Sequence, residues 1–414
     1  MITLIEALNY RCLRYVSQPL KPFHVLVGPN ASGKTSFLDV IAFLGRLVSD
    51  GLDAAVEERS QNFYDLVWGR EGKRFELAIE ASIPPEHQTP TDSPEYEIIR
   101  YEVAIGPSDD DARLSILDQQ IALVKATERG AVGDSTLFRS ARDPNAKRLV
   151  STDPGGGTLI QPEEPSRELM EDTESGIYQH VWRPNRATSV FERMDDNEEF
   201  PASWWLAGLL TRGVRRVELD SRTLRRPSPP GKGMFLAGDG SNLPGIIARL
   251  QERSPGEFED WLAHLRTALP DLEGIRVVER PEDKHRYLML RYRGGLEVPS
   301  WMLSDGTLRL LALTVIAYIP GQKPIFLIEE PENSVHPLNI ETVMQSLRSV
   351  YEGQVLVATH SPTVLGVTDA SDVLVFSRDV KEGTTITPGN EHPALKEWRG
   401  EVNLGTLFAG GVLG

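Results

Sequence analysis

Apolar and polar positions fall into three kinds of pattern along the chain. "MITLIEAL" at the start and "FHVLVG" (23–28) read as two short buried strands, the second running into a glycine turn. From Lys34 to about Val48, "KTSFLDVIAFLGRLV" places apolar residues at helical spacing. "RFELAIEAS" and "EYEIIRYEVAIG" alternate with the two-residue period of half-buried antiparallel strands, and "RLSILDQQIAL" extends that sheet. Periodicity fails from about 127 to 200, where Gly, Pro, Asp and Arg dominate and "STDPGGGTLIQPEEP" is the plainest loop. An irregular run of this length is an insertion, a functional loop or a partly disordered stretch. Helical spacing returns in "SWWLAGLLTRGV" and "NLPGIIARLQERSPGEFEDWLAHLRTAL", and "GIRVVERP" with "HRYLMLRYRGG" reads as a strand pair. The last third alternates apolar strands with helices: "PIFLIEE", "NIETVMQSLRSVY", "QVLVATH", "DVLVFSR". That alternation predicts an α/β fold whose core sheet is mainly parallel and covered by helices. No internal repeat and no sustained heptad run is visible, so no long coiled-coil arm is expected.

Composition narrows the class. With 414 residues, 40% hydrophobic and 25% charged, the chain can bury a sizeable core. No apolar run approaches the length that crosses a bilayer, and the N-terminus lacks the basic, apolar and small-residue order of a secretion signal. The single cysteine, Cys12, forms no intramolecular disulfide, which fits a cytoplasmic location. A net charge of −16 argues against a general positive coat for nucleic acid. One local exception is "RGVRRVELDSRTLRR" (212–226), where Arg215, Arg216 and Arg225 are candidate contacts to a DNA backbone. A solvated or ion-paired surface accounts for the same run.

Candidate chemistry is concentrated in four places. "GPNASGKTS" (28–36) completes the pattern G-x-x-x-x-G-K-[ST] through Gly28, Gly33, Lys34 and Thr35, between an apolar strand and a helix. In that pattern backbone amides curl around a β-phosphate, the lysine reaches the β- and γ-phosphates, and the hydroxyl binds Mg²⁺. Asn30 and Ser36 complete the candidate ATP-binding set here. "PIFLIEEPENSVHP" ends an apolar strand in Glu329 and Glu330. Adjacent carboxylates at a strand tip repel unless a cation or proton intervenes, so Glu329 is assigned to the Mg²⁺ shell, directly or through water. Glu330 is assigned to polarising the attacking water. "QVLVATHSP" ends a further strand in His360, a candidate sensor of the γ-phosphate. "MLSDGTLRLLAL" (302–313) opens a helix with small and polar residues. Such a start attracts an anion, but Ser304 or Asp305 capping its own helix explains it equally well.

These pieces, in this order, resemble the ATP-binding-cassette ATPase heads of the SMC, RecF and OLD-like group, and within it the stand-alone bacterial AAA family ATPases of the AAA_21 type. "GPNASGKTS" resembles their Walker A motif, "LSDGTLR" the signature, "FLIEEPE" Walker B, "NSVHP" the D-loop and "ATHSP" the switch histidine; "GDGSNLP" (238–244) is a further shared feature. The resemblance implies a P-loop ATPase core, with residues 1–125 as its N-terminal half, including an antiparallel β subdomain. It implies an irregular and helical insertion at 126–235 and the C-terminal half of the core at 236–414. It also implies that two copies pack head to tail, Ser304 and Gly306 of one capping the ATP held on Lys34 of the other. Hydrolysis would then loosen the dimer, making the ATPase a switch. In this group such switches work beside a nuclease or another nucleic-acid-directed effector in antiphage defence or DNA repair. Because the chain ends soon after His360, a nuclease is expected to be a separate polypeptide. A soluble ATPase subunit of a membrane transporter and a small-molecule kinase are the alternatives. The chain departs from the group's pattern at Ala31, where glycine is common, a residue that a helical or extended backbone would tolerate. It departs again at Asp305, whose charge must point away from phosphate, and at Glu329, where transporters have Asp. The Q-loop glutamine is open among Gln61, Gln119 and Gln120.

Overall fold

The structure is a computed structural model. It describes residues 1–88, 96–108, 112–125, 136–138, 143, 146–152, 158–160, 180–182, 187–194, 198–231, 233, 235–321, 324–379, 381–396 and 403–412. Much of the irregular run from 127 to 200, including most of the loop at 151–165, lies outside the described residues. The chain divides into two compact units: Met1–Lys21, Asn30–Val214 and Phe376–Ile386 in the first, Pro22–Pro29, Arg215–Val375 and Thr387–Gly414 in the second.

The first unit carries an antiparallel sheet formed by β1 (Ile2–Tyr10), β2 (Leu13–Pro19), β4 (Phe75–Ser82), β5 (Ile98–Pro107), β6 (Leu114–Val124), β7 (Lys147–Thr152), β8 (Thr158–Ile160) and β9 (His180–Trp182). Their order is β2-β1-β4-β5-β6-β7-β8-β9. β2 does not stand out in the hydrophobic pattern because it is an edge strand, buried at Leu13, Val16 and Gln18 and open between them. The helix Lys34–Glu57 follows the predicted spacing, burying Phe37, Ile41, Leu44 and Leu47, but runs past Val48. Gly51 breaks its regularity at φ 83, ψ 179, and Leu52 then donates its N–H to the Ala187 carbonyl at 2.9 Å. An L-residue with a side chain would pay heavily for that conformation. Tyr10, Phe43 and Phe75 meet edge-on or tilted, with centroids 5.0–5.8 Å apart, and fasten the helix to the sheet.

The predicted parallel sheet is present. Its order is β10 (Val214–Val217), β14 (Ile325–Glu329), β15 (Gln354–Ala358), β3 (Phe23–Val27), β16 (Val373–Asp379), β17 (Gly383–Pro388). β3, β14 and β15 lie wholly in the second unit, are parallel to one another and are almost completely buried. This explains why they read as continuous apolar runs rather than alternating ones. Their register sets Glu329 opposite Ala358, and Ala358 opposite Leu26. Helices Asp305–Val315 and Pro255–Ala268 pack in the same core, and Trp261 donates its indole N–H to Thr314 Oγ1 at 2.9 Å. A small sheet, β11 (Leu272–Glu279), β12 (Arg286–Tyr292) and β13 (Leu296–Pro299), completes the unit. β13 is short and mostly exposed, so it carries no hydrophobic signal.

Candidate nucleotide-binding site

In the first unit, Asn30–Ser36 forms a tight loop at the head of the helix Lys34–Glu57. Two residues turn it: Ala31 at φ 60 and Gly33 at φ 108. Ala31 is therefore neither helical nor extended, as its small side chain would have allowed, but left-handed, a conformation costing an L-residue about 1–2 kcal/mol. Successive turns of this kind aim backbone N–H groups into an anion-binding concavity. Phe37 makes the first helical bond, donating to the Gly33 carbonyl at 2.8 Å, and the first turn of the helix holds no acidic residue. The positive end of the dipole is thus unopposed by side-chain charge. Lys34 is buried, with Nζ 3.4 Å from Ser32 Oγ. Thr35 is exposed.

The loop is braced from far along the chain. Thr384 is buried and donates from Oγ1 to the Ser32 carbonyl at 2.8 Å. A Cβ at Gly33 would collide with that threonine, so two constraints, the left-handed φ and the neighbour, demand glycine there. Beside Ser36 lies a cavity of about 600 Å³ lined by Arg11, Cys12, Arg59, Trp68 and Arg70, with Cys12 Sγ donating to Ser36 Oγ at 3.3 Å. Its wall is held by Asp39 on the loop's own helix, which accepts from the Tyr10 hydroxyl at 2.6 Å and pairs with Arg59 at 2.8 Å and Arg11 at 3.2 Å. Burial first, and Asp39 second, push the Tyr10 phenol well above its usual range, so it stays a donor. Gln119 is committed inside this unit, its Oε1 accepting from the Val190 N–H at 3.0 Å.

In the second unit the C-terminal ends of β14, β15 and β3 lie side by side, and Gly28 at φ 149 follows β3. Glu329 closes β14. Glu330 turns away at φ 50, donates its N–H to the Ala358 carbonyl at 2.8 Å and accepts from Asn333 Nδ2 at 2.6 Å. Left-handed backbone at a non-glycine is stored strain, a recurrent property of functional sites. Thr359 donates its N–H to Leu26 at 3.0 Å and its hydroxyl to Glu332 at 2.5 Å. Glu332 also accepts from the backbone of His360, and burial raises its carboxyl above the ordinary value. His360 itself is half-buried.

Ser304 is the N-cap of the helix Asp305–Val315, its Oγ accepting from the Thr307 N–H at 3.1 Å. Gly306 sits so close to the 330–335 turn that a Cβ there would stand 2.5 Å from the Ser334 carbonyl oxygen. Asp305 is ion-paired with Arg225, whose other terminal nitrogen donates to the Leu303 carbonyl at 2.8 Å. Arg216 pairs with Glu218 at 2.5 Å and Glu329 at 3.2 Å. Arg215 lies 4.4 Å over the Phe235 ring. Each of the three candidate DNA-contacting arginines therefore has a local partner, carboxylates for Arg216 and Arg225 and an aromatic ring for Arg215.

The chain matches, over residues 23–366, the family described as AAA_21: AAA domain, putative AbiEii toxin, Type IV TA system. It belongs to that family. No curated protein matches the sequence. The fold is similar to a solved Smc head bound to the C-winged helix domain of ScpA, at 15% identity, TM-score 0.54, with 93% of this chain and 97% of that one covered. An Smc head with an extended coiled coil, bound to the C-terminal domain of ScpA from Pyrococcus furiosus, aligns at 14% identity and TM-score 0.48, covering 93% and 95%. At such identities the likeness is one of fold.

This AAA_21 protein is accordingly an ATP-hydrolysing enzyme with an ABC-type head, and nucleotide and Mg²⁺ binding follow from the family. The residues present fit those groups. A glycine that admits no Cβ, a buried lysine and an acid-free helix start suit a polyphosphate. Among the described residues no cluster of three or more His, Cys, Asp or Glu could hold a metal. Mg²⁺ in P-loop enzymes needs none, since a hydroxyl, one carboxylate, phosphates and water complete its shell. Among the described residues no helix is long and apolar enough to cross a membrane. Sequence reasoning did not find Thr384 or Asp39, and it met Arg225 only as a candidate DNA contact, not as the partner of Asp305. Thr384 leaves no signal, being an ordinary strand residue, whereas the acid at Asp305 does call for a nearby cation.

Proposed function

We propose that this ATPase is a switch that dimerises on ATP and governs a separately encoded, nucleic-acid-directed effector in antiphage defence or DNA maintenance. In this reading Asn30, Gly33, Lys34, Thr35 and Ser36 hold the phosphates, and the cavity beside Ser36 receives the nucleoside end. Thr35 and Glu329 would hold Mg²⁺, which offsets phosphate charge and orients the terminal phosphate. Glu330 polarises the attacking water and His360 contacts the γ-phosphate. Ser304 and Gly306 meet the nucleotide of a second copy. Residues 1–125 and 236–414 form the two halves of the core around an insertion at 126–235. The observation that carries the reading is the loop of Ala31 and Gly33 at an acid-free helix start beside buried Lys34. The compared Smc head was solved bound to a domain of ScpA, which supports a separate protein as partner.

The test is solution mass by light scattering on Glu330→Gln, with and without ATP–Mg²⁺. The substitution should stall hydrolysis while keeping nucleotide bound. Doubling of mass with ATP, abolished by Ser304→Arg, is expected. A monomer that binds ATP and does not change mass would refute the dimer.

A further inference from the structure

The signature helix begins with a carboxylate between the two residues that, on the proposed reading, receive phosphate. Asp305 follows Ser304 and precedes Gly306, and its side chain is 41% exposed. An unscreened carboxylate at that place would repel a triphosphate. Arg225 counters it in two ways. One terminal nitrogen pairs with Asp305 Oδ1, and the other donates to the Leu303 carbonyl at 2.8 Å, fixing the turn just before the cap. Arg225 is itself held, as the C-cap of the short helix Ser221–Leu224, whose N-cap Asp220 accepts from the Arg222 N–H at 2.7 Å. One turn further along the signature helix, Arg309 donates to the Leu219 carbonyl at 2.8 Å. The segment 219–225 thus grips the turn before the signature helix at Leu303 and the helix itself at Asp305 and Arg309, all inside the second unit.

We propose that Arg225 is a positioning residue for the signature: it draws the Asp305 carboxylate aside and holds the 303–305 turn, so that Ser304 and Gly306 can meet the phosphate of a second copy's ATP. This rests on the ATP-dimer reading. The arginine run is then part of the ATPase machinery, acting through the charge of one aspartate rather than through an external polyanion.

The test uses the full chain carrying Glu330→Gln. ATP affinity is measured on dilute monomer by titration with a fluorescent ATP analogue, and dimer dissociation in ATP–Mg²⁺ by analytical ultracentrifugation. Arg225→Ala should weaken the dimer tenfold or more and leave monomer ATP affinity within twofold. Adding Asp305→Asn to Arg225→Ala should recover most of that loss, because the charge that needed withdrawing is gone. A dimer indifferent to Arg225→Ala, or no recovery in the double variant, overturns the proposal. Should Arg225→Ala fail to fold, Asp305→Asn alone decides: a dimer as strong or stronger supports the role, a tenfold weaker one overturns it. If the Glu330→Gln parent binds ATP without dimerising, the dimer reading fails and this inference falls with it. If the parent dimerises and Arg225 has no effect, only the inference falls.

Discussion

Gly306→Ala sets two effects of known sign against each other. Gly306 is the second residue of the helix Asp305–Val315, where alanine should stabilise by about 1 kcal/mol through helix propensity. Against this, the new Cβ would lie 2.5 Å from the Ser334 carbonyl oxygen. Carbon and carbonyl oxygen rest at roughly 3.3–3.6 Å even in their closest favourable contacts, so the two backbones must part by about 0.8 Å or more. The turn cannot yield freely, since Ser334 is itself left-handed at φ 61 and the next residue, Val335, is buried in the core. Overpacking of this kind costs about 1–3 kcal/mol, which offsets or exceeds the propensity gain and leaves a net loss of up to about 2 kcal/mol. A matched control exists in the same unit. Gly256 is the second residue of the helix Pro255–Ala268, and a Cβ there meets nothing within 4 Å. Denaturant unfolding of the nucleotide-free protein should show Gly306→Ala losing stability and Gly256→Ala gaining about 0.5–1 kcal/mol. A Gly306→Ala protein as stable as its Gly256→Ala counterpart would refute the reasoning. Because the loss precedes any nucleotide, it separates this glycine's packing role from the phosphate contact proposed for it.

Ala31→Gly should relieve left-handed strain of about 1–2 kcal/mol. The unfolded chain takes back about 0.5–1 kcal/mol, and denaturation should therefore show a gain of about 0.5–1 kcal/mol. Thr384→Val keeps the shape but removes the buried hydroxyl that donates to Ser32, orphaning that acceptor at a cost of about 1–3 kcal/mol, and ATP affinity should fall with it. The Glu332 carboxyl is held above its ordinary value of 4.5 by burial, and its Oε2 is buried without a hydrogen-bond partner. Between the ordinary and raised values the native state binds more protons than the unfolded one, so this group's contribution declines as pH rises through that window. Glu332→Gln should flatten the pH dependence of stability from the ordinary glutamate range upward, read as denaturation midpoints across pH.

What was legible in the chain follows from where the physics is local. The parallel strands announce themselves because β3, β14 and β15 are buried on both faces and therefore apolar throughout. The candidate phosphate loop is legible because its chemistry needs particular residues at fixed spacing, and Gly33 is constrained both by its φ and by Thr384. β2 and β13 escaped notice because edge strands expose as much as they bury. The conformation of Ala31 is not legible for a related reason: residue size says whether a side chain fits, not which φ the loop imposes. Thr384 braces a loop some 350 positions earlier in the chain, and nothing in its own neighbourhood marks it.

The arginine run shows a different limit, one of sign rather than distance. Clustered arginines between 212 and 226 state that negative charge is nearby but not whether it belongs to a ligand or to the chain itself. The chain contains 60 acidic residues against 44 basic ones, so an internal partner is the more available. Two of those acids sit where the motifs place the chemistry: Glu329 at the end of β14 and Asp305 in the signature, paired to Arg216 and Arg225. On the proposed reading, in which both motifs face phosphate, such an acid requires a cation to be held beside it. The departure at Asp305 and the unexplained run of arginines are therefore better treated as one feature than as two, and Asp305→Asn in the Arg225→Ala background is where that equivalence can fail.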